Sequence, residues 1–339
     1  MKIKKEHIVK AIKKITDTSA FQQVKEYHIK GNAPLKPFPT YLDTLWCKLR
    51  YRLDTKEYFY FSFYNKNRHA RRQYVSSADG ILAMSNKINA GDKSLFDYKI
   101  NTYRAYKEFY RREAISVNLP SESEKLKVFA NQYGNFILKP LNMSQGRGIC
   151  FWSKEMEDAD TALQHIIDSN VGEVMLEEII QQDPEMKAFH PTSVNTIRYV
   201  VDYHKDGVDR LFAFIRIGVG NSKVDNTSAG GICAAIDLDT GVLITQGLRR
   251  NGEQFICHPD SGKQIIGTQI PKWKELNEMI EKLRPQNSPV HLVGWDLALS
   301  EKGWCIVEGN WGPSFIGIQG CLDTGYKSVM KRVLKRMGK

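Results

Sequence analysis

Residues 290–310, VHLVGWDLALSEKGWCIVEGN, constrain the fold more than any other segment of the chain. Two apolar runs flank the polar turn SEKG, a pattern that is typical of an antiparallel hairpin. Asp296 lies inside the first run, and Glu308 and Asn310 end the second. A carboxylate in a buried strand is costly unless it has a partner. The pattern therefore predicts a hairpin that brings two carboxylates and an amide to the same end.

The oxygen atoms of these three side chains suit a hard divalent cation. Magnesium is commonly held by one or two carboxylates while it keeps water ligands and contacts substrate phosphates. We therefore predict that Asp296, Glu308 and Asn310 hold magnesium. The alternative is a pair of carboxylates in a surface turn, which the apolar neighbours of both residues disfavour.

The bulk composition indicates a globular protein of more than one domain or subdomain. The chain has 339 residues, of which 42% are hydrophobic, so it can bury a large core and is not a disordered protein. It has no run of about 18 apolar residues and starts with a charged, amphipathic segment, so we expect neither a membrane span nor a signal peptide. Its six cysteines are scattered without a CxxC pair. Such cysteines suit reduced thiols and a cytoplasmic location.

The positive charge of the chain is concentrated near its start. Residues 1–72 hold 17 Lys or Arg and 6 Asp or Glu, which accounts for the whole net charge of +11. A local basic region suits an acidic partner or a membrane surface better than a general nucleic-acid groove. We expect no nucleic-acid partner, because no nucleic-acid motif occurs. Residues 1–72 are interpreted either as a peripheral contact with a membrane or a biosynthetic complex, or as a solvated lysine-rich region.

Short apolar runs and turn signals alternate after about residue 90, which predicts an α+β chain with much antiparallel sheet. Helical spacing of apolar residues occurs in three segments. The aromatic run KEYFYFSFY at 56–64 fits neither the helical period nor the strand period. Its composition favours a buried core over a base-stacking surface. The predicted strands are 136–140, 149–152, 173–180, 196–203, 210–219, 231–238 and 290–299, and the predicted helices are 4–16, 276–283 and 329–337.

Two further patterns suit phosphate binding. Lys139 ends a predicted strand and precedes a glycine-containing loop at 142–148, where backbone N–H groups can approach a phosphate closely. Alone, that loop fits a simple hairpin turn about as well. Arg198 and Arg216 lie on neighbouring predicted strands and offer planar donors to phosphoryl or carboxylate oxygens. Either arginine alone also suits a buried ion pair.

Five segments, in their order and spacing, resemble the ATP-grasp superfamily, and most closely its sugar-transfer-associated branch. The resemblance covers roughly residues 90–320 and implies two α+β subdomains that grip ATP, after a small, mostly helical N-terminal region. The implied N-terminal region is 1–90, and the two implied subdomains are 91–180 and 181–339. The matching segments are FILKPLNMSQGRGI, VMLEEII, SVNTIRYVV, RIGVGNSKVDNTSAGGICAAIDLDTG and VGWDLALSEKGWCIVEGN.

The same resemblance implies a nucleotide site. Lys139 would contact the α-phosphate and adenine, and Lys99, with Lys93 as the alternative, would join it. The phosphate loop would close over the β- and γ-phosphates, and the hinge after the next strand would recognise adenine through its backbone. The loop residues are Ser144, Gln145, Gly146, Arg147 and Gly148, the hinge residues are Glu177, Glu178, Ile179 and Ile180, and the candidates for the ribose contact are Asp183 and Glu185.

The implied reaction joins a carboxylate to an amine. Asp296, Glu308 and Asn310 resemble ligands of one or two magnesium ions, and Arg198 and Arg216 would neutralise the transferred γ-phosphoryl group. A sugar acid, amino acid or peptide in surface-polysaccharide or related biosynthesis would become an acyl phosphate and then an amide. The alternatives are a phosphotransferase without ligation and a non-catalytic ATP-binding scaffold that docks through its basic N-terminus. The loop implied to face the acceptor includes Asp225, Asn226, Gly230 and Gly231.

Overall fold

The structure is a computed structural model that describes residues 21–26, 36–83, 87–141, 148–286 and 288–336. These residues form helices and two antiparallel sheets, which confirms the predicted α+β class. Within those ranges, no helix is both long enough and apolar enough to cross a bilayer. The helix predicted at 4–16 lies outside the described residues.

Short helices precede the first sheet. The aromatic run falls on the second of them and on the 3-10 turn Phe63–Asn65, and its rings at Tyr58, Phe61 and Phe63 are buried. The core interpretation of this run is therefore confirmed. The helices are α1 (Pro37–Tyr51), α2 (Thr55–Tyr60), α3 (Arg68–Arg71), α4 (Ser77–Ala83), α5 (Ser94–Asp97), α6 (Lys99–Ala105) and α7 (Lys107–Tyr110).

The smaller sheet has four strands in the order β1-β4-β2-β3, and all neighbours are antiparallel. Two helices accompany it, and Leu126, Phe136 and Leu176 belong to its own hydrophobic cluster. Its strands are β1 (Ala114–Leu119), β2 (Asn135–Pro140), β3 (Cys150–Ser153) and β4 (Gly172–Glu178), and its helices are α8 (Ser123–Tyr133) and α9 (Ala159–Asp168).

The larger sheet has seven antiparallel strands in the order β11-β10-β5-β6-β7-β8-β9, so β11 is an edge strand. Its strands are β5 (Thr196–His204), β6 (Gly207–Ile217), β7 (Ile232–Ile236), β8 (Gly247–Arg249), β9 (Gln254–Phe255), β10 (Leu292–Ser300) and β11 (Gly303–Asn310). The remaining helices are α10 (Pro184–Lys187), α11 (Trp273–Lys282), α12 (Ile316–Cys321) and α13 (Lys327–Arg336).

Both faces of the larger sheet are covered. One face buries Trp295 with residues of α5 to α7 and α11, and the other buries Phe214 with the aromatic run, α12 and α13. Every residue of β10 is consequently buried, as the apolar run predicted. The division of the chain at residue 91 stays a prediction, and α5 to α7, which follow that point, supply residues to the core of the larger sheet.

The predicted strands and hairpin correspond to observed elements. The hairpin at 290–310 is formed by β10 and β11, with Ser300 opposite Gly303 at its turn. The strand predicted at 173–180 ends at Glu178, so Ile179 and Ile180 lie beyond β4. The helix predicted at 276–283 is α11, and the last predicted helix is α13, with Met337 outside the described residues.

Candidate functional site

A row of charged side chains crosses the larger sheet. Asp296 on β10 is the register partner of Glu308 on β11 and of Arg198 on β5. Residues that pair directly across antiparallel strands project to the same face. Arg216 on β6 pairs with Thr196, two residues before Arg198, and so belongs to the same face. The sheet register therefore brings together four residues that the sequence singled out.

Asp296 binds both arginines. Arg198 donates through Nε to Oδ1 and through Nη2 to Oδ2, the second at 2.9 Å, and Nη2 of Arg216 lies 2.9 Å from the same Oδ2. Burial acts to raise the pKa of Asp296, but the charges of Arg198 and Arg216 outweigh it and lower that pKa below its usual value. The carboxylate is therefore ionised at neutral pH.

Arg216 also faces a second buried carboxylate, that of Asp225. Its Nε lies 3.6 Å from Oδ2 of Asp225, while Nε and Nη2 donate to Oγ1 of Thr196 at 3.1 and 2.9 Å. The backbone N–H of Thr196 donates to Asp225 at 3.0 Å, and the Thr196 hydroxyl donates to the same oxygen. Burial raises the pKa of Asp225 despite the charge of Arg216. Thr196 was not selected as a site residue from the sequence, because a threonine at a strand start is unremarkable.

The oxygen donors near Asp296 are of the chemical kind that suits magnesium, and a magnesium site here stays a prediction. Glu308 and Asn310 are two residues apart on β11, so their side chains share the face that carries Asp296. The amide nitrogen of Asn310 donates to the carbonyl of Gly294 at 3.4 Å. No group of three His, Cys, Asp or Glu suited to a metal occurs within the described part of the chain. Two carboxylates and an amide suit an ion that takes its other ligands from water and phosphate.

A second charged cluster lies on the smaller sheet. Nζ of Lys139 on β2 lies 2.9 Å from Oε1 of Glu177 on β4, and Oε2 of Glu177 accepts from Nε and Nη2 of Arg112 at 3.0 and 2.5 Å. Burial acts to raise the pKa of Glu177, but Lys139 and Arg112 lower it to about 2. The two cations therefore share one buried, ionised carboxylate.

Arg112, which no sequence motif indicated, ties this cluster to the larger sheet. Its Nη1 donates to the carbonyl of Ile306 on β11 at 2.6 Å, and Nε of Arg111 donates to the carbonyl of Trp304 at 2.8 Å. An edge strand presents backbone carbonyls without strand partners. The two consecutive arginines bind alternate carbonyls of that edge. The strand that carries Glu308 is thereby held against the smaller sheet.

The predicted adenine hinge borders an open volume. The N–H of Glu113 donates to Oε2 of Glu178 at 2.6 Å, which fixes the end of β4 beside the start of β1. Ile179 and Ile180 then line a cavity of about 170 Å³ together with residues of the β10–β11 turn, including Lys302. Adenine binding at this hinge stays a prediction.

The role of Lys99, with Lys93 as the alternative, stays a prediction. Lys99 begins α6 and is partly buried, whereas Nζ of Lys93 lies 4.5 Å from the ring centroid of Trp311, the residue after Asn310.

Of the predicted phosphate loop, only Gly148 is described, with a φ of 72° that favours glycine. The other four loop residues, Ser144, Gln145, Gly146 and Arg147, lie outside the described residues.

The remaining predicted residues have local structural contacts. Asp183 caps α10, since its Oδ1 accepts from the backbone N–H of Glu185 at 3.0 Å. In the loop between β6 and β7, the N–H of Gly231 donates to the carbonyl of Asn226 at 3.2 Å, and Gly230 has a φ of 93°. This loop therefore presents Asp225 to Arg216 from a tight turn. The ribose contact stays a prediction.

Residues 84–335 match the family of sugar-transfer associated ATP-grasp proteins. The chain belongs to this family. The matched range contains both sheets and the hairpin with Asp296 and Glu308, and it confirms the resemblance and the ATP-grasp fold. In this ATP-grasp chain, Arg198 and Arg216 both bind Asp296, Arg216 also faces Asp225, and Lys139 and Glu177 form a separate cluster.

Several solved structures are similar to the chain. The ATP-grasp ligase PsnB, complexed with a phosphomimetic variant of a minimal precursor, Mg and ADP, shares 14% identity at a TM-score of 0.45, over 74% of this chain and 62% of that one. D-alanyl-alanine synthetase A from Vibrio cholerae shares 12% identity at a TM-score of 0.46, and the match covers 73% of this chain and 66% of that one. D-alanine-D-alanine ligase from Helicobacter pylori shares 14% identity at a TM-score of 0.43, and the match covers 72% of this chain and 60% of that one.

The chain spans less than two thirds of the length of each of these three proteins. A search of curated proteins finds no match to it.

Proposed function

We propose that this ATP-grasp protein is an ATP- and magnesium-dependent carboxylate–amine ligase. The observation that carries the proposal is the row Glu308, Asp296 and Arg198, extended by Arg216, on one face of the larger sheet, in which Asp296 is buried and the other three are half-buried. It combines oxygen ligands for a cation with fixed planar donors for a phosphoryl group. Phosphoryl transfer needs this kind of positioning and charge neutralisation rather than a protein nucleophile.

The two arginines orient the phosphoryl group in this proposal. A guanidinium has five N–H donors, so an arginine that Asp296 holds can still donate to a phosphoryl oxygen. Asp296 fixes Arg198 through two donors, and Thr196 and Asp296 together fix Arg216. The donors are therefore in place before ATP binds, and less side-chain entropy is lost when it does.

Asp296, Glu308 and Asn310 would hold the magnesium, which would neutralise charge on the ATP phosphates. Lys139 would approach the same nucleotide from the smaller sheet, where Glu177 fixes its side chain. Asp225, which belongs to the loop that we assign to the acceptor, lies 3.6 Å from Nε of Arg216 through its Oδ2.

The proposed reaction has two steps. A carboxylate oxygen of the substrate attacks the γ-phosphorus while the bond to ADP breaks, which gives an acyl phosphate. An amine nitrogen then attacks the acyl carbon, phosphate leaves, and the nitrogen loses a proton to give an amide. The proposed carboxylate is a sugar acid, amino acid or peptide in surface-polysaccharide or related biosynthesis, which rests on the family description alone.

The test is incubation with magnesium-ATP and pooled amino acids, peptides and sugar acids, with ADP release measured and new products identified by mass. Glu308→Gln is the site variant. Asp206→Asn is its control, because Asp206 is exposed in the turn between β5 and β6. An amide product that Glu308→Gln abolishes and Asp206→Asn retains supports the proposal.

Two other outcomes point to different functions. ADP together with a stable phosphorylated substrate, and no amide, would indicate a phosphotransferase. ATP binding by calorimetry without turnover on any substrate would indicate a scaffold. Absence of magnesium-dependent ATP binding would contradict the assignment of the site itself.

A further inference from the structure

Helix α1 carries an exposed apolar stripe formed by Phe38, Leu42, Trp46 and Leu49. Their exposed fractions are 63%, 50%, 40% and 78%. Spacings of four, four and three residues place side chains on one face of a helix. The stripe runs along most of the length of α1, which spans Pro37–Tyr51.

The opposite face of α1 packs against the protein, where Tyr41 and Tyr51 lie partly buried against the same hydrophobic cluster as Cys47. Thr40, Thr44 and Cys47 are its buried residues. A surface helix usually turns its large apolar residues inward, whereas α1 leaves four of them on its outward face. Burying the four residues of the stripe elsewhere would remove an appreciable apolar area from water.

The stripe differs from the other exposed apolar residues of the described chain. Nine large hydrophobic residues are exposed there, and four of them form this stripe. The other five lie on separate elements, as single exposed apolar residues commonly do. They are Tyr98, Val128, Met156, Ile244 and Ile256.

The outward surface of α1 is also basic. Lys48 and Arg50 occupy its last turn, and Lys36 precedes its first residue. Asp43 is the one carboxylate in the helix sequence, and it accepts from Nη1 and Nη2 of Arg71 at 2.7 and 2.6 Å. The hydroxyl of Tyr58 also donates to Asp43, at 2.7 Å. The acidic group is therefore neutralised within the protein, while the basic groups flank the stripe.

We propose that α1 docks on an anionic phospholipid bilayer, with Phe38, Leu42, Trp46 and Leu49 entering the interface between headgroups and acyl chains. Helices that combine an apolar face with basic residues bind in the plane of such interfaces. Tryptophan favours the headgroup level, and basic side chains are attracted to anionic lipids. The proposal is independent of the proposed ligase activity.

A second copy of the chain fits this surface less well. A symmetric dimer places the same patch of both copies in contact. Lys48 and Arg50 of one copy would then face basic residues of the other, and residues 1–72 carry a charge of +11 in each copy. Like charges at an interface are unfavourable. An anionic bilayer instead offers charge of the opposite sign.

The test is co-sedimentation of the full chain with vesicles of phosphatidylcholine alone and of phosphatidylcholine mixed with phosphatidylglycerol in equal parts. We expect binding to the mixed vesicles, weak binding to the neutral ones, and weaker binding as salt is added. The stripe variant Leu42→Glu with Leu49→Glu should bind the mixed vesicles at least about tenfold more weakly. In the variant Lys48→Glu with Arg50→Glu, the affinity for the mixed vesicles should fall about fivefold for each basic residue removed.

The matched control is Val128→Glu with Ile256→Glu, since these residues are 62% and 58% exposed on other elements. The control variant adds the same two negative charges as the stripe variant. Its affinity for the mixed vesicles should fall only by the amount that this added charge explains, which is much less than the loss in the stripe variant. Circular dichroism and thermal unfolding establish that all variants are folded. Quenching of tryptophan fluorescence by brominated lipid should be strong in the parent chain and weaker in Trp46→Phe.

Three results would overturn the proposal. The first is unchanged vesicle binding by the stripe variant, which would place any membrane contact in another part of the basic region. The second is no binding to mixed vesicles by the parent chain. The third is self-association without lipid that the stripe variant abolishes while vesicle binding persists, which would assign the stripe to a second copy.

Discussion

The Nη2 atom of Arg216 lies 2.9 Å from Oδ2 of Asp296, and this ion pair joins β6 to β10 across the intervening strand β5. Because Arg198 on β5 binds the same carboxylate, three neighbouring strands converge on one buried charge. Loss of one member of such a cluster leaves the others without a partner in a poorly solvated position. The cluster is therefore sensitive to substitutions that barely change side-chain volume.

Asp296→Asn should lower both stability and ATP turnover. The substitution leaves two arginines without their common counter-charge and removes one proposed magnesium ligand. We expect the free energy of unfolding to fall by about 3–5 kcal/mol and magnesium-dependent ADP release to fall to background. Denaturant unfolding and an ADP-release assay measure the two effects. Wild-type stability in Asp296→Asn would contradict the buried-cluster interpretation.

Arg216→Lys should impair turnover more than stability. Lysine keeps the positive charge but lacks the planar fork that reaches Asp296 and Thr196 together. We expect the turnover number to fall by about 10²–10³-fold. Arg210→Lys is the control on the same strand, because Arg210 pairs with the exposed Asp239. Similar losses in both variants would indicate a general effect on β6 instead of a role for Arg216.

Ionisation of Glu177 should make the stability of the chain depend on pH, with stability lost in acid. Its pKa falls from an ordinary 4.5 to about 2 in the folded protein. A lowered carboxyl pKa contributes stability that is fully present above the unfolded pKa and is lost as pH falls toward the folded pKa, here about 3 kcal/mol in all.

Denaturant unfolding as a function of pH measures this contribution. Glu177→Gln should be less stable than the parent chain at neutral pH, because Lys139 and Arg112 lose their shared partner. The difference between the two proteins should narrow as pH falls from about 4.5 to about 2. A difference that stays constant over that range would rule out the titration of Glu177 as its source.

The sequence predicts the strands near Asp296 well because their signals are local. An apolar run, a four-residue turn and a second run define β10 and β11 without reference to the rest of the chain. The partners of Arg112 are 65 and 194 residues away, at Glu177 and Ile306, and no local pattern reports such pairings. The aromatic run lacks a period because a six-residue helix and a 3-10 turn divide it, with most of its rings buried.

Gly309→Ala should disturb the strand that carries Glu308 and Asn310. An added Cβ would lie 2.8 Å from Cζ3 of Trp295 and 2.9 Å from Cε1 of Phe96, and both rings are buried. Because both side chains are buried, the rings or β11 would have to shift, and β11 carries the proposed magnesium ligands. We expect a loss of about 1–3 kcal/mol in unfolding free energy and weaker magnesium-dependent ATP binding by calorimetry.

Gly312→Ala is the matched control for this substitution, three residues further along the chain. An added Cβ at Gly312 meets no atom within 4 Å, and its φ lies outside the left-handed region that favours glycine. Its unfolding free energy should stay within about 0.5 kcal/mol of the parent chain, and its ATP affinity should be unchanged. If the two alanine variants were equally stable, close packing of Gly309 against Trp295 and Phe96 could not be what holds the end of β11 in place.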